Sequence, residues 1–323
     1  MYCPLGGLSM IRFLIVRVSL IAITLLVVSA AIFAVTEVLP GDIAWQVLGQ
    51  GATPENLAVV RERLDLNRPA YVRYFDWVIH AVQGDLGDSY IQTRPIYEIV
   101  KPRIYNSAIL AIFAFMVSVP TAVITGVWAG IRRDSWGDHA VSVTSLVAIS
   151  VPEFVTGIFL IVIFSSTLGL LPSSSLLLPG TGPLSRPEIL VLPALTLTGV
   201  LFAYIMRMTR ANVIEVMDTH YVRTAILKGI TMRRVIFRHV IPNAMIPTIS
   251  IIAVSIGWMI GGLIIVENVF AYPGLGRLLL VAIQSRDVPL IQALALLIAA
   301  IYAVSNLIAD LSYGLLNPRI RLG

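Results

Sequence analysis

Long apolar runs limit what this chain can fold into more than any motif it carries. Residues 13–36 hold a single charged side chain, Arg17. At ~1.5 Å rise per residue such a helix reaches ~36 Å, enough to cross a ~30 Å hydrocarbon core with some tilt. Further runs follow at roughly 104–128, 139–168, 189–208, 244–267 and 288–316. The composition agrees: 57% of the 323 residues are hydrophobic, 13% are charged, and the mean hydropathy is +0.87. That lies far outside the range of a soluble domain. The expected fold class is an all-α membrane protein with six transmembrane helices. The first run is too long for a cleaved signal peptide, although Val28-Ser29-Ala30 faintly resembles a cleavage site.

The net charge of +5 is a topology signal rather than a nucleic-acid signature. Arg12 and Arg17 precede or open the first run. Arg132, Arg133, Arg207, Arg210, Arg223, Lys228, Arg233, Arg234, Arg238, Arg319 and Arg321 fall in segments on the same side. Arg186, Arg277 and Arg286 fall on the other. The excess of positive charge marks the cytoplasm, so both termini are expected inside. The long 37–103 segment is discounted, because long loops cross regardless of charge. The single cysteine, Cys3, permits no internal disulfide. Residues 1–9 are read as an N-terminal tail with no assigned role, and 10–323 as one transmembrane domain.

Residues 37–103 are expected to form a small helical external cap. Leu39-Pro40-Gly41-Asp42 closes the first span. Thr53 can cap a helix that has Pro54 at its first position, with Leu57, Val60 and Leu64 at helical spacing. A second helix follows Pro69, with Tyr71, Tyr74, Phe75, Val78 and Val82 on one face. Gly84 ends it, and Gly84-Asp85-Leu86-Gly87 is a turn. Between the last two spans, residues 268–287 are too short and too apolar for a water-exposed domain. They read as an external hairpin tolerable only where protein or a wet cavity satisfies the backbone. Phe270, Tyr272, Pro273, Gly274, Leu275 and Gly276 are its candidate gate or partner-contact residues. Prolines inside spans (Pro120, Pro152, Pro193, Pro247) suit helices bent around a pathway.

The polar segment at 209–242 contains the stretch YVRTAILKGITMRRVIFRHVIPNA, which begins at Tyr221. It predicts a helix, a turn at Gly229, and a second helix stopped by Pro242. Val235, Ile236 and Val240 share a face, and Arg233, Arg234 and Arg238 turn toward water. A short structured loop with an apolar stripe at the membrane surface needs something to dock on.

This stretch resembles the EAA loop of ABC-importer permeases, the segment that plugs into the ATPase subunit. Gly229 and Pro242 stand at that motif's glycine and proline, and Ala225 at its last alanine. Arg223, Thr224 and His239 depart from it. The variant is similar to the dipeptide, oligopeptide and nickel branch, in its first permease subunit type. The segments at 39–42, 53–78, 84–90, 267–276, 286–293 and 306–321 resemble the same branch. The resemblance implies a type I ABC-importer permease fold in the bacterial inner (plasma) membrane, surrounded by lipid. It implies a second permease subunit as heterodimer partner, two ATPase subunits and an external solute-binding protein. The ATPase-docking residues would be Tyr221, Arg223, Thr224, Ala225, Lys228, Gly229 and Pro242.

The chain carries no visible ATP site of its own. A phosphate-binding loop needs lysine after glycine and before serine or threonine. Lys101 precedes Pro102, and Lys228 precedes Gly229. Gly274-Leu275-Gly276 reads as a turn. His80, His139, His220 and His239 are scattered, so neither a metal site nor a catalytic pair is expected. The chain is read as a non-catalytic subunit with no cofactor; ATP and magnesium would sit on the ATPase partners. The alternative is a secondary transporter or channel driven by an ion gradient, a class marked by repeated halves and paired intramembrane charges. Peptides are the expected cargo; nickel complexes, opines, haem, glutathione and oligosaccharides are alternatives.

Two acids stand well inside spans. Asp310 is explained by reach to the interface, or by pairing with a docking-loop arginine. Glu153, in SVPEFVTG, is costly at the centre of a bilayer and is not expected to face lipid. It is either satisfied by a neighbouring helix or held protonated away from water, or it lines the translocation path as a weak acceptor for a polar group such as a peptide amine.

Overall fold

The computed structural model describes residues 6–38, 52–63, 67–178 and 180–316. The segments at 39–42, with the expected close of the first span, and Leu64, Arg319 and Arg321 lie outside these. Five described helices are long and apolar enough to cross a membrane, and there are six if one bent pair counts as a single span. The chain divides into two units: residues 106–273 with 302–323 and the N-terminal ten, and residues 11–105 with 274–301.

Most of α1 (Gly6–Val38) belongs to the second unit, and the helix begins inside the stretch read as a tail. Its apolar side chains point outward along most of its length, as lipid requires; Ile15, Val18, Ile23, Val27 and Val35 are all exposed. Two short helices follow. In α2 (Pro54–Arg63) the Thr53 hydroxyl accepts from the Asn56 amide at 3.2 Å, the expected cap. In α3 (Ala70–Val82) the stripe read from the sequence divides. Tyr74 packs edge-on to Phe33 of α1 with centroids 5.5 Å apart, and its hydroxyl meets that of Ser29 at 3.0 Å. Tyr71, Phe75 and Val82 are exposed. The side that faces α1 carries Tyr74, Trp77, whose ring lies 6.3 Å from Phe33, and Arg73, which pairs with Glu37.

Gly84 and Gly87, at φ +86° and +73°, shape the turn that leads on from α3. Asp287 is buried and holds the chain after it: the Ser89 hydroxyl and the Tyr90 amide (3.3 Å) donate to its carboxylate. Ile96, Ile99 and Val100, at the start of α4 (Ile96–Ile131), pack with Leu275, Leu278 and Ala282 of α11 (Leu275–Ser285). Leu290, Ala293 and Leu294 of α12 (Val288–Leu316) complete the cluster.

The first unit is built on α7 (Glu188–Met217) and α10 (Ile241–Val269). Gly126 and Gly130 of α4 meet α7 closely. A Cβ at Gly126 would lie 2.6 Å from the Met206 carbonyl oxygen, and one at Gly130 2.7 Å from Val213 Cγ1. Four-residue spacing of glycines lets two membrane helices approach backbone to backbone. Leu190, Leu197, Leu201, Leu263, Val266 and Phe270 form the main core.

The third crossing departs from the single bent helix expected over 139–168. It is two helices, α5 (Trp136–Ser150) and α6 (Glu153–Leu160), the latter continuing as a π-helix over Ile161–Thr167. They meet at 106°. Proline disfavours helical backbone at the residue before it. Val151 is accordingly extended, at φ −89° and ψ 125°, and the helix restarts at Glu153.

Candidate functional site

The predicted docking segment is a helical hairpin. α7 runs on to Met217, so the first part of the 209–242 loop belongs to that helix. α8 (His220–Leu227) follows and closes at Gly229, whose φ is +75°. The Gly229 amide donates to the Ile226 carbonyl (2.9 Å) and the Ile230 amide to that of Ala225 (3.3 Å), the bonding of a left-handed helix stop. α9 (Met232–Val235) then passes through a π-turn, Ile236–Val240, directly into α10. Pro242 therefore does not stop the second helix as expected. The Ile241 amide reaches back to the Ile236 carbonyl in the wider π register, and the helix continues through Pro242, which has no N–H to donate.

One side of this hairpin is fastened inward. Val222, Ala225, Val235, Val240 and Ala244 pack on Val213. Ala225 is 7% exposed, so its small side chain serves this interior and not an outer groove. Tyr221, Arg223, Thr224, Leu227 and Lys228 are exposed, as are Arg233, Arg234, Arg238 and Pro242. Leu227, at 81%, stands out: an apolar tip among basic groups.

The residues read as an outward gate lie inside instead. Phe270 and Tyr272 are fully buried, Gly274, Leu275 and Gly276 are buried, and Pro273 is half-buried. The Tyr272 hydroxyl donates to the Asn106 carbonyl (2.7 Å), and Asn106 Nδ2 donates to the Pro273 carbonyl (2.8 Å). Glu267, also buried, accepts from the Ser107 hydroxyl at 2.5 Å. An aromatic ring repays burial with a large apolar area, and its hydroxyl must then find a partner. These residues anchor the hairpin; an exposed plug is not what they form. Asp310 is half-buried.

Glu153 lies where the broken crossing restarts. It lines a cavity of about 210 Å3 together with Leu197, Val200, Leu201 and Tyr204 of α7, and Ser255, Trp258 and Met259 of α10. Its Oε2 is buried with no hydrogen-bond partner; among described side-chain oxygens only Thr198 Oγ1 shares that condition. The carboxylate rests over Gly262, where a Cβ would lie 2.8 Å from Oε2 and 2.9 Å from Oε1. Tyr204 and Trp258 stack at 5.2 Å between centroids with their planes 32° apart. Ser255 donates to the Ile251 carbonyl at 2.8 Å. Among the described residues no group of three or more His, Cys, Asp or Glu side chains could hold a metal.

Sequence reasoning singled out Glu153 but missed Tyr204, Trp258 and Gly262. The signals were present: two aromatics with polar atoms inside apolar spans, and the Gly261-Gly262 pair. It also counted Arg210 as a topology charge. Arg210 forms a two-pronged ion pair with Asp138, Nε to Oδ1 at 2.5 Å and Nη2 to Oδ2 at 2.7 Å.

Two family descriptions match the chain: "Binding-protein-dependent transport system inner membrane component" over residues 122–322, and its N-terminal counterpart over 10–110. A protein named as a peptide transport system permease in Brucella abortus (strain 2308) is 35% identical over 297 residues, 92% of this chain and 95% of that one. The glutathione transport system permease protein GsiC of Shigella flexneri serotype 5b (strain 8401) is 35% identical over 312 residues, 97% of this chain and 99% of its own. GsiC of Escherichia coli O6:H1 is similar to the same extent, 35% over 312 residues.

Proposed function

We propose small peptides as the cargo of this chain, which belongs to the binding-protein-dependent transport system inner membrane components and is a multi-pass permease subunit of an ABC importer in the bacterial inner membrane. Such a subunit works with an ATPase and a solute-binding protein. In our reading the assembly has one second permease subunit and two ATPase subunits, and ATP and magnesium are bound on the latter. Glu153 lines this chain's half of the pathway. Peptide cargo is supported by the names of two relatives that match almost end to end: one is called a peptide permease, and the other a permease for glutathione, itself a small peptide.

The ATPase docks on α8 and the turn after it, through Tyr221, Arg223, Thr224, Leu227 and Lys228. The observation that carries this is the asymmetry of α8. Val222 and Ala225 are buried in the chain, while Leu227 on the opposite side is 81% exposed beside Lys228. A solvated basic loop has no use for an apolar tip fixed at that angle. Ala225 and Gly229 act indirectly, by fixing the tilt of the helix and its stop.

Gly229→Val tests the docking. Nothing lies within 4 Å of a Cβ at Gly229, so the penalty is backbone strain alone at φ +75°, about 1–2 kcal/mol. The variant should insert and fold, but its ATPase subunits should dissociate or hydrolyse ATP without uptake. ATP-driven uptake at the wild-type rate would overturn this docking site.

A further inference from the structure

We propose that the Glu153 cavity is a way-station for the ammonium group of the solute, held by the Glu153 carboxylate beside the packed pair of Tyr204 and Trp258 that lines the same cavity. The inference rests on the pathway reading above and adds what that pathway selects.

The first argument is the missing partner. Among the described residues three acids are buried to 1% exposure or less, and each is answered, whereas Glu153 is half-buried. Asp138 has Arg210, Glu267 has Ser107, and Asp287 has Ser89 and the Tyr90 amide. Among the described residues only Glu153 leaves a buried carboxylate oxygen unmatched. A buried acceptor without a donor is costly, and the cost is relieved when a donor arrives.

The second argument is the chemistry of the walls. No lysine, arginine or histidine lines the cavity, so an anionic group finds no counter-charge there. The Ser255 hydroxyl proton is committed to the Ile251 carbonyl. What remains is one carboxylate as the only charged group, the Tyr204 and Trp258 rings with their O–H and N–H, the Met259 thioether and aliphatic surface. Aromatic rings attract cations through their quadrupole, and tryptophan does so most strongly. An ammonium supplies three donors and a positive charge, which match this lining. A neutral or acylated amine matches it poorly.

The third argument is room and release. Gly262 leaves the carboxylate space that a Cβ would fill. The cavity, at about 210 Å3, is smaller than the roughly 300–1,000 Å3 pockets that enclose a whole drug-sized molecule. It accepts one end of a solute, and it opens at the surface of this chain. A single carboxylate with two rings gives a weak site. A transporter needs that, since tight binding would hold its cargo.

The test uses the purified full chain in lipid nanodiscs, titrated with n-propylammonium or with n-propanol. The Trp258 signal is isolated by subtracting the emission of Trp258→Phe. The expected result is a saturable change with propylammonium, none with propanol, and a midpoint at least tenfold higher in Glu153→Gln. An equal response to propanol, an unshifted midpoint in Glu153→Gln, or no Trp258 response would each overturn the site. A second arm measures dipeptide uptake by the assembled transporter with its ATPase and binding protein. Glu153→Gln should lower uptake at least threefold, with ATPase stimulation by the loaded binding protein retained. Unchanged uptake beside a shifted midpoint places the cavity off the route and overturns the way-station. No dipeptide uptake by the wild type overturns the cargo reading alone, and the ammonium site is then decided by the fluorescence arm.

Discussion

Asp138 and Glu153 are two carboxylates on one broken crossing, on either side of its Pro152 break, and they meet opposite treatment. Asp138 opens α5, fully buried. Arg210 grips it with two nitrogens, the Asp134 amide donates to Oδ2 at 3.0 Å, and Ser135 caps its own amide at 3.2 Å. Glu153 opens α6 with neither an ion pair nor a hydrogen bond to a described side chain, and with a cavity before it. The first is a rivet between α5 and α7. The second has a buried oxygen that no described side chain answers. An acid in an apolar segment has no meaning by itself; what answers its carboxylate, a cation as at Asp138, neutral donors as at Asp287, or no described side chain as at Glu153, depends on the surrounding helices.

The comparison breaks most visibly at the rivet. Removing one member of a fully buried ion pair costs about 3–5 kcal/mol; Arg210 is 26% exposed, so losing Asp138 strands a partly solvated charge and costs less than losing Arg210. Arg210→Leu and Asp138→Ala should therefore sharply reduce the folded chain recovered from membranes, read as thermal stability in detergent. The double replacement Asp138→Leu with Arg210→Leu should recover much of it, since no charge is left stranded. Single variants as stable as the wild type would remove the distinction between the two acids.

A smaller effect is expected at Asp287, which binds without a cation. Asp287→Ala leaves the Ser89 hydroxyl and the Tyr90 amide without their acceptor, a loss of about 1–3 kcal/mol. The segment at 85–95 should then exchange amide hydrogens faster and be cut more readily by protease, while α7 and α10 stay protected. Uniform exchange across the chain would show that Asp287 supports more than this segment.

Glu153 itself should give the smallest change in stability. It gives up no hydrogen bond, and exchanging an unmatched buried polar group for an apolar one is neutral or stabilising. Glu153→Leu should melt at or slightly above the wild-type temperature. A marked drop would mean that the carboxylate has a structural partner after all, and would move it into the class of Asp138.

Much of this architecture was legible in the residues. The crossings follow from run lengths that only a hydrocarbon core explains. The Thr53 cap, the turn at Gly84 to Gly87 and the left-handed stop at Gly229 follow from side chains whose local preferences dominate over a few residues. The helical hairpin after α7 was visible because its apolar stripe repeats at helical period: Val235 and Val240 are buried while Arg233, Arg234 and Arg238 are exposed.

What the sequence determined by itself was therefore local or one-dimensional: apolar length, charge bias and helix punctuation. Only the tertiary structure decided what each of these meets. Pro242 looks like a stop, but a π-turn carries the helix through it. Pro152 looks like a bend, yet the backbone before it turns fully extended and the crossing breaks. Tyr272 looks like a plug, but the Asn106 carbonyl claims its hydroxyl from far along the chain. Ala225 looks like a docking contact, but its own chain covers it. The physical reason is the same each time. Periodicity shows which residues share a face. Whether that face meets lipid, a partner, a cation or nothing depends on helices distant in sequence, as Arg210 for Asp138 and the bare Cα of Gly262 for Glu153 demonstrate.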